Sequence, residues 1–217
     1  MDIKVYLTDV DTSGGIQRYA DLIDLVSDDR RERIERMIPQ NGKVMCLFSE
    51  LVMRCHLSRL TGIPGTDIRF AAGDHGKPYM IGSDIHFSVS HTGSIIAFAA
   101  ADVPIGVDAE LIADARERVA QRSFTENERR YIAASDDPSA AFFDVWTAKE
   151  AYVKMTGEGL SRSFGSFDVY GDIRPALRTV RVGGCSVSVC CEGLRDGGAL
   201  SVIHETTDDI ITTLRSD

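Results

Sequence analysis

Positive charge is in short supply: 24 Lys and Arg stand against 33 Asp and Glu, a formal net charge of −9. Such a field repels polyanions, which excludes a general nucleic-acid binder or a protein drawn to anionic membrane surfaces. Any anionic ligand would need a local basic patch. Long apolar runs are also missing; nothing approaches the ~18 consecutive apolar residues of a membrane span. The first residues, Met1 to Leu7, lack a basic stretch followed by an apolar one, and read as a strand and not a signal peptide. Cysteine is sparse: Cys46, Cys55, Cys185, Cys190 and Cys191, an odd set with no C-x-x-C pair and so no zinc spacing. A disulfide scaffold does not fit a chain of this length, whereas a reducing cytoplasm fits the cysteines. Neither a P-loop, nor a dinucleotide-binding glycine fingerprint, nor a G-x-S-x-G elbow occurs. No repeat or low-complexity segment stands out.

What is present is the composition of a folded protein: 217 residues, 43% apolar and 26% charged. Ile3 to Thr8 alternates as a strand. Apolar positions between 17 and 38 have helical spacing, interrupted near Ser27 and ended by Pro39. Residues 43 to 60 form a second helix, with Val44, Leu47, Phe48, Leu51, Val52, Cys55 and Leu60 facing one way. Phe70 to Met80 reads as loop-rich. His86 to Ala101 reads as two strands meeting at His91-Thr92-Gly93. Asp102-Val103-Pro104 marks a boundary, dividing residues 1–103 from 104–217. The second part opens on a strand, Ile105 to Asp108, followed by helices near 114–122, 125–134 and 139–156. Strand-like segments come last: Asp168 to Tyr170, Arg178 to Val182, Ser186 to Cys191, Ala199 to His204 and Ile210 to Leu214. Each half mixes helices and short strands, an α+β pattern.

Five places could carry chemistry. Gly106-Val107-Asp108-Ala109-Glu110 puts two carboxylates at i and i+2, on one face of a strand. Such a pair repels unless a cation sits between, and an all-oxygen set suits Mg²⁺; for a bare D-x-E on its own, a solvated strand edge is the commoner explanation. Trp146 to Lys154 places Glu150 and Lys154 one helical turn apart, either a third carboxylate beside a phosphate-neutralising cation or an ordinary surface pair. Ser88-Val89-Ser90-His91-Thr92-Gly93 gathers hydroxyls and an imidazole at a strand-to-turn corner, an anion nest or a turn-capping histidine. Gly76-Lys77-Pro78 is a rigid turn presenting one cation. Arg30, Arg31, Arg33 and Arg36, interleaved with Glu32 and Glu35, are a phosphate dock or a mixed-charge solvated helix.

Singly these are weak, but their order and spacing are not. The succession G-K-P, F-x-x-S-H, G-x-D-x-E, F-T-x-x-E (Phe124 to Glu128), W-x-x-K-E-A-x-x-K and G-x-G-L-S (Gly157 to Ser161) resembles the 4′-phosphopantetheinyl transferases of the Sfp type. The resemblance runs from about residue 27 to 170. It implies two similar α+β halves joined as an intramolecular pseudodimer, with the active site between them, and a monomer. The implied reaction moves the phosphopantetheine arm of coenzyme A to a serine of an apo carrier protein and releases adenosine 3′,5′-bisphosphate. Asp108 and Glu110 match the Mg²⁺ carboxylates, and Glu150 the third, proposed in the family as metal ligand and general base. Glu128 matches an acid near the metal and its waters. Lys154 matches the lysine on the coenzyme A diphosphate. His75, Gly76, Lys77 and Pro78, with Ser90, His91 and Thr92, match segments cradling the adenosine bisphosphate end. Arg30 and Arg33 fall where the family places cations for the 3′-phosphate. Two departures stand out: Ser88 replaces a frequent Asn, and Met45-Cys46 replaces an Arg-Ser or Arg-Thr pair, with Lys43 nearby. Rival classes are a non-catalytic carrier-binding module of this fold and a Mg²⁺-dependent nucleotide phosphoesterase.

Overall fold

The computed structural model describes residues 2–171, 173, 176–194 and 198–216, with the backbone alone at residue 160. Strand β1 (Ile3–Asp9) buries Ile3, Val5 and Leu7 on one face. A 3-10 segment, Ile16–Leu25, precedes α1 (Asp28–Arg36), whose N-cap Ser27 accepts from Arg30 N. Asp28 and Asp29 at its start and Arg33 and Arg36 at its end complement the helix dipole. Helix α2 (Gln40–Thr61) starts after Pro39 and stops at Gly62 in the left-handed conformation (φ 71°). Its residues Val44 to Ser58 are all buried, so it is a core helix, while Leu60 in its last turn is 57% exposed and leaves the expected apolar face. The stretch expected to be loop-rich holds a small hairpin, β2 (Phe70–Ala72) and β3 (Pro78–Met80). Strands β4 (His86–Thr92), β5 (Ile95–Ala101) and β6 (Ile105–Leu111) follow. Then come α3 (Glu117–Ser123), α4 (Glu126–Ala133) and the long α5 (Pro138–Thr156), capped by Asp137 and ended by Gly157 at φ 73°. Strands β7 (Leu177–Val182), β8 (Cys185–Cys191) and β9 (Leu200–Thr206) and helix α6 (Thr207–Ser216) complete the chain.

One sheet has the order β4-β5-β1-β9 and another the order β6-β8-β7. Period-2 burial packs them face to face: Val5, Ala97 and Ala99 meet Val107, Val187 and Val189 in one apolar cluster. The other face of the first sheet, with Phe87, Ile96 and Phe98, lies on α2. The other face of the second lies on α5, whose Phe142, Ala148 and Ala151 belong to a third cluster with Cys190. The layers are therefore helix, sheet, sheet, helix, and the two halves share the middle core.

Three expectations change. Ile210 to Leu214 is part of a helix, not a strand: Thr206 and Asp209 cap each other's backbone N–H groups, and Ile210 turns inward. Asp168 to Tyr170 forms no strand; Asp168 instead accepts from Thr125 Oγ1 and Tyr170 N. The chain's second part does not stay together. Strand β9 pairs in parallel with β1, and α6 packs on α2, so the division 1–103 and 104–217 is crossed by residues 200–216.

Candidate active site

The site forms where β4 and β6, the edges of the two sheets, come alongside one another. No backbone ladder joins them; hydroxyls at alternate β4 positions do. Ser88 Oγ accepts from Val107 N (3.0 Å), Ser90 Oγ donates to Asp108 Oδ1 (2.6 Å), and Thr92 Oγ1 donates to Glu110 Oε2 (3.1 Å) while accepting from Leu111 N (3.2 Å). The side-chain period of a strand brings all three to one side. Ser90 and Thr92 thus hold carboxylates, their hydroxyls directed across to β6. At the position where Asn is frequent, Ser88 thus serves as an acceptor for β6 backbone.

Helix α5 brings the second group. A Cβ on Gly106 would collide with Ala151 O and Met155 N, so the helix lies directly on β6 at this point and only glycine permits the approach. That contact delivers Lys154 Nζ to Asp108 Oδ1 at 2.7 Å. Glu150, one turn earlier, is partly buried and faces the cleft with Lys154. Burial, then the Asp108 charge, pushes the carboxyl of Glu150 up, with Lys154 opposing and Glu110 adding. Burial and Asp108 likewise raise Glu110. Asp108 is 4% exposed, and its Oδ2 is buried without a hydrogen-bond partner.

Glu150 and Lys154 open onto a cleft of about 320 Å³, lined also by His75, Lys77, Pro78 and Phe164. His91, on the opposite side of β4 from Ser90, is at the surface. Loss of solvent around the ring lowers its pKa, and the charges of Lys154, Arg33 and Arg30 lower it further. The charges of these three cations are thus felt at one ring despite the acidic whole. Arg30 is fixed by Glu50 Oε2 (3.2 Å) and by Cys46, whose carbonyl and Sγ lie 3.3 and 3.6 Å from Nη1. At this position Cys46 orients an arginine. Lys77 Nζ donates to Ile105 O at 2.9 Å and reaches Met155 O at 3.5 Å, so its amine is directed at backbone.

Glu128 is not brought to the other acids. It is fully buried, pairs with Lys149 Nζ (2.8 Å), and accepts from Val169 N and Thr125 N. With Thr125 it closes a capping box on α4. The T-x-x-E spacing alone signalled this structural use. Lys149, missed by the sequence reading, donates to Phe164 O and Phe167 O at 2.7 Å each and so ties the segment after α5 to the helix.

Among the described residues, no three His, Cys, Asp or Glu side chains stand as a finished cation cage. The donor set nevertheless fits a hard divalent cation. Asp108 Oδ2 lacks a partner, and Glu110 and Glu150 are both raised by burial and then by the Asp108 charge; a cation among them relieves both conditions.

Fold and site together define a class: a two-lobed α+β protein with one ionic cleft at the junction of its halves. Residues 15–103 match the family described as "4'-phosphopantetheinyl transferase, N-terminal", and residues 104–192 the "4'-phosphopantetheinyl transferase superfamily". The chain is 31% identical over 144 residues to the 4'-phosphopantetheinyl transferase gsp of Aneurinibacillus migulanus, covering 65% of this chain and 60% of that one. It is 28% identical over 170 residues to the transferase Sfp of Bacillus subtilis strain 168, covering 77% and 76%. Against the transferase ffp of Bacillus subtilis it is 31% identical over 151 residues, covering 68% and 67%. The chain belongs to the 4′-phosphopantetheinyl transferase superfamily, with homologues of the Sfp type. No helix among the described residues is long and apolar enough to cross a membrane.

Proposed function

We propose that this protein transfers the 4′-phosphopantetheine arm of coenzyme A to a serine hydroxyl of an apo acyl, peptidyl or aryl carrier protein, with Mg²⁺, and releases adenosine 3′,5′-bisphosphate. The observation that carries the reading is the bare, buried Oδ2 of Asp108, whose charge acts on Glu110 and on Glu150, the latter lining a cleft together with Lys154. A scaffold that only bound carriers would have no physical need for three converging acids set against one lysine.

The chemistry is displacement at phosphorus, in which positioning and charge neutralisation dominate. The serine oxygen forms the new bond to the β-phosphorus, and the bond from that phosphorus to the bridging oxygen breaks. Asp108, Glu110 and Glu150 would hold the metal ion, which when bound supplies Lewis acidity toward the diphosphate oxygens. Glu150, whose burial and acidic neighbours raise its proton affinity, accepts the serine proton. Lys154, held by Asp108, offsets the charge growing on the leaving phosphate. Ser90 and Thr92 keep Asp108 and Glu110 in place. Arg30, Arg33 and His91 form the rim for the phosphorylated end of coenzyme A. The fused halves make the chain sufficient as a monomer, and five free, buried cysteines accord with a reducing cytoplasm.

Incubation with coenzyme A, Mg²⁺ and an apo carrier tests this. A carrier mass gain of ~340 Da, one phosphopantetheine arm, is expected from the displacement. Phosphate release without carrier modification would instead indicate a phosphoesterase, and Mg²⁺-dependent carrier binding without turnover a recognition module.

A further inference from the structure

Resting on the transferase reading, we infer that Lys77 is a positioning residue: its amine pins the tip of the β2–β3 hairpin across the junction of the halves and sets the width of the coenzyme A cleft. The tip of the hairpin is what such a pin serves, since the base is already seated on the core between the first sheet and α2 through Met80 and Phe70 while residues 73–76 are exposed. The strands of the hairpin have three residues each and pair only with each other, and a two-stranded sheet is marginal without outside support. Within the tip, Gly73 N donates to Lys77 O and Gly76 N to Gly73 O, while Asp74, His75 and Gly76 are exposed. Lys77 reaches out of the tip to Ile105 O, the first residue of β6, and to Met155 O, in the last turn of α5. These are the two elements that carry Asp108 and Glu150. A cation at the carbonyl end of a helix is favourable.

Two further observations agree. Burial lowers the pKa of Lys77, and no acidic group acts on it to oppose the shift, so the amine sits among carbonyls and not in an ion pair. The tip also abuts the turn after α5: Gly159 has φ 57°, and a Cβ there would lie 2.9 Å from His75 Cβ. The tip forms one wall of the cleft through His75, Lys77 and Pro78, and α5 with its turn forms the other through Glu150, Lys154 and Gly159. Lys77 fastens the first wall to the second, with two of its three donors already committed to backbone.

The test compares Lys77→Met, Lys77→Arg and Gly159→Ala with the unaltered protein. Amide exchange of residues 73–77 is measured first, without coenzyme A. Lys77→Met should speed it by about tenfold or more through local opening, and Lys77→Arg, which keeps the donors, should restore most of the protection. This readout needs no turnover, so it stands or falls separately from the transferase reading. In the transfer assay, Lys77→Met should raise the KM for coenzyme A about tenfold with kcat within ~threefold, as misplacement of a binding wall does. Coenzyme A and 3′-dephospho-coenzyme A should lose the same factor. Gly159→Ala, which disturbs the seat of the tip and leaves the amine intact, should reproduce the faster exchange and the raised KM; it carries the test if Lys77→Met does not fold. Unchanged exchange in the free protein, a KM loss confined to coenzyme A with its 3′-phosphate, or a fall in kcat at constant KM would each overturn the proposal.

Discussion

Helices α2 and α5 end alike, at Gly62 and Gly157, and their cations stand at matching distances before those glycines: Arg59 and Lys154 in the last turn, Arg54 and Lys149 two turns back. Arg54 donates to Gly65 O and Ile68 O, and Lys149 to Phe164 O and Phe167 O, so each buried cation ties down the segment that follows its helix. The difference lies in the acids. Glu50 on α2 is 2% exposed and fully met: Ser27 N and Oγ donate to it at 2.7 and 2.9 Å, and Arg54 at 2.6 and 2.9 Å. On α5 the position next to the buried cation is Glu150, where α2 has the buried apolar Cys55. Glu150 faces Asp108 and Glu110, and Asp108 keeps one oxygen bare. The first half uses buried charge to hold its own parts together. The second sets three acids against one lysine at the junction, an excess of negative charge that marks a site awaiting a ligand.

The largest test of that contrast removes acids at the junction. Glu150→Gln and Asp108→Ala should lower carrier modification by about 10²- to 10⁴-fold, the range that a positioned base supplies, with far-ultraviolet dichroism unchanged. Wild-type turnover in either would erase the functional distinction between the helices. Lys154→Ala should fall in the same range, because it leaves Asp108 Oδ1 with Ser90 alone as well as removing a cation from the cleft.

Next in size is the satisfied side. Glu50→Ala leaves Arg54 buried without its acid and should cost ~3–5 kcal/mol of unfolding free energy in urea. It should also loosen Arg30, which Glu50 orients, and so weaken coenzyme A binding. Acid tests the same group without mutation. Hydrogen bonds and Arg54 outweigh burial and hold Glu50 below its ordinary 4.5. A depressed carboxylate contributes stability that is complete above the unfolded value and lost as pH falls through the folded one. Thermal stability should therefore drop below pH 4.5, and Glu50→Gln should flatten that drop.

How much of this was legible beforehand varied with the range of the interaction. Strand β1, helix α5 and the pair β4–β5 show their period in a few consecutive residues, and the order of the motifs points to Asp108, Glu110, Glu150 and Lys154. The return of β9 to β1 is a parallel pairing between segments nearly 200 residues apart, which no local pattern announces. Ile210-Ile211-Thr212-Thr213 reads as β-branched strand, and only the reciprocal cap of Thr206 and Asp209 starts a helix there. Glu128 has a structural use that its motif also encodes: in its F-T-x-x-E setting it caps α4 and pairs with buried Lys149, a partner that spacing alone does not single out. Ser90, Thr92 and Lys77 were found, but their partners lie across the junction, on elements that sequence spacing does not place beside them.

The smallest predicted effect is the sharpest on the sign of the comparison. Burial and Asp108 raise Glu150 above its ordinary 4.5, so without a cation its ionised form costs folding free energy. That cost begins as the unfolded chain ionises near 4.5 and is complete above the folded value, opposite in direction to the contribution of Glu50. Metal-free protein should therefore gain a little stability as pH falls from 7 toward 5, before the loss tied to Glu50 sets in. Glu150→Gln, inactive in transfer, should melt ~2–4 °C higher than wild type at pH 7 in the presence of a chelator, as a gain of about 1 kcal/mol would give in a chain of this size. Added Mg²⁺ should raise the wild-type melting temperature and close that gap, since a ligand that binds only the folded state stabilises it. A Glu150→Gln protein less stable than wild type under chelation would mean that the acids of the second half are as well satisfied as Glu50, and the contrast between the helices would fail.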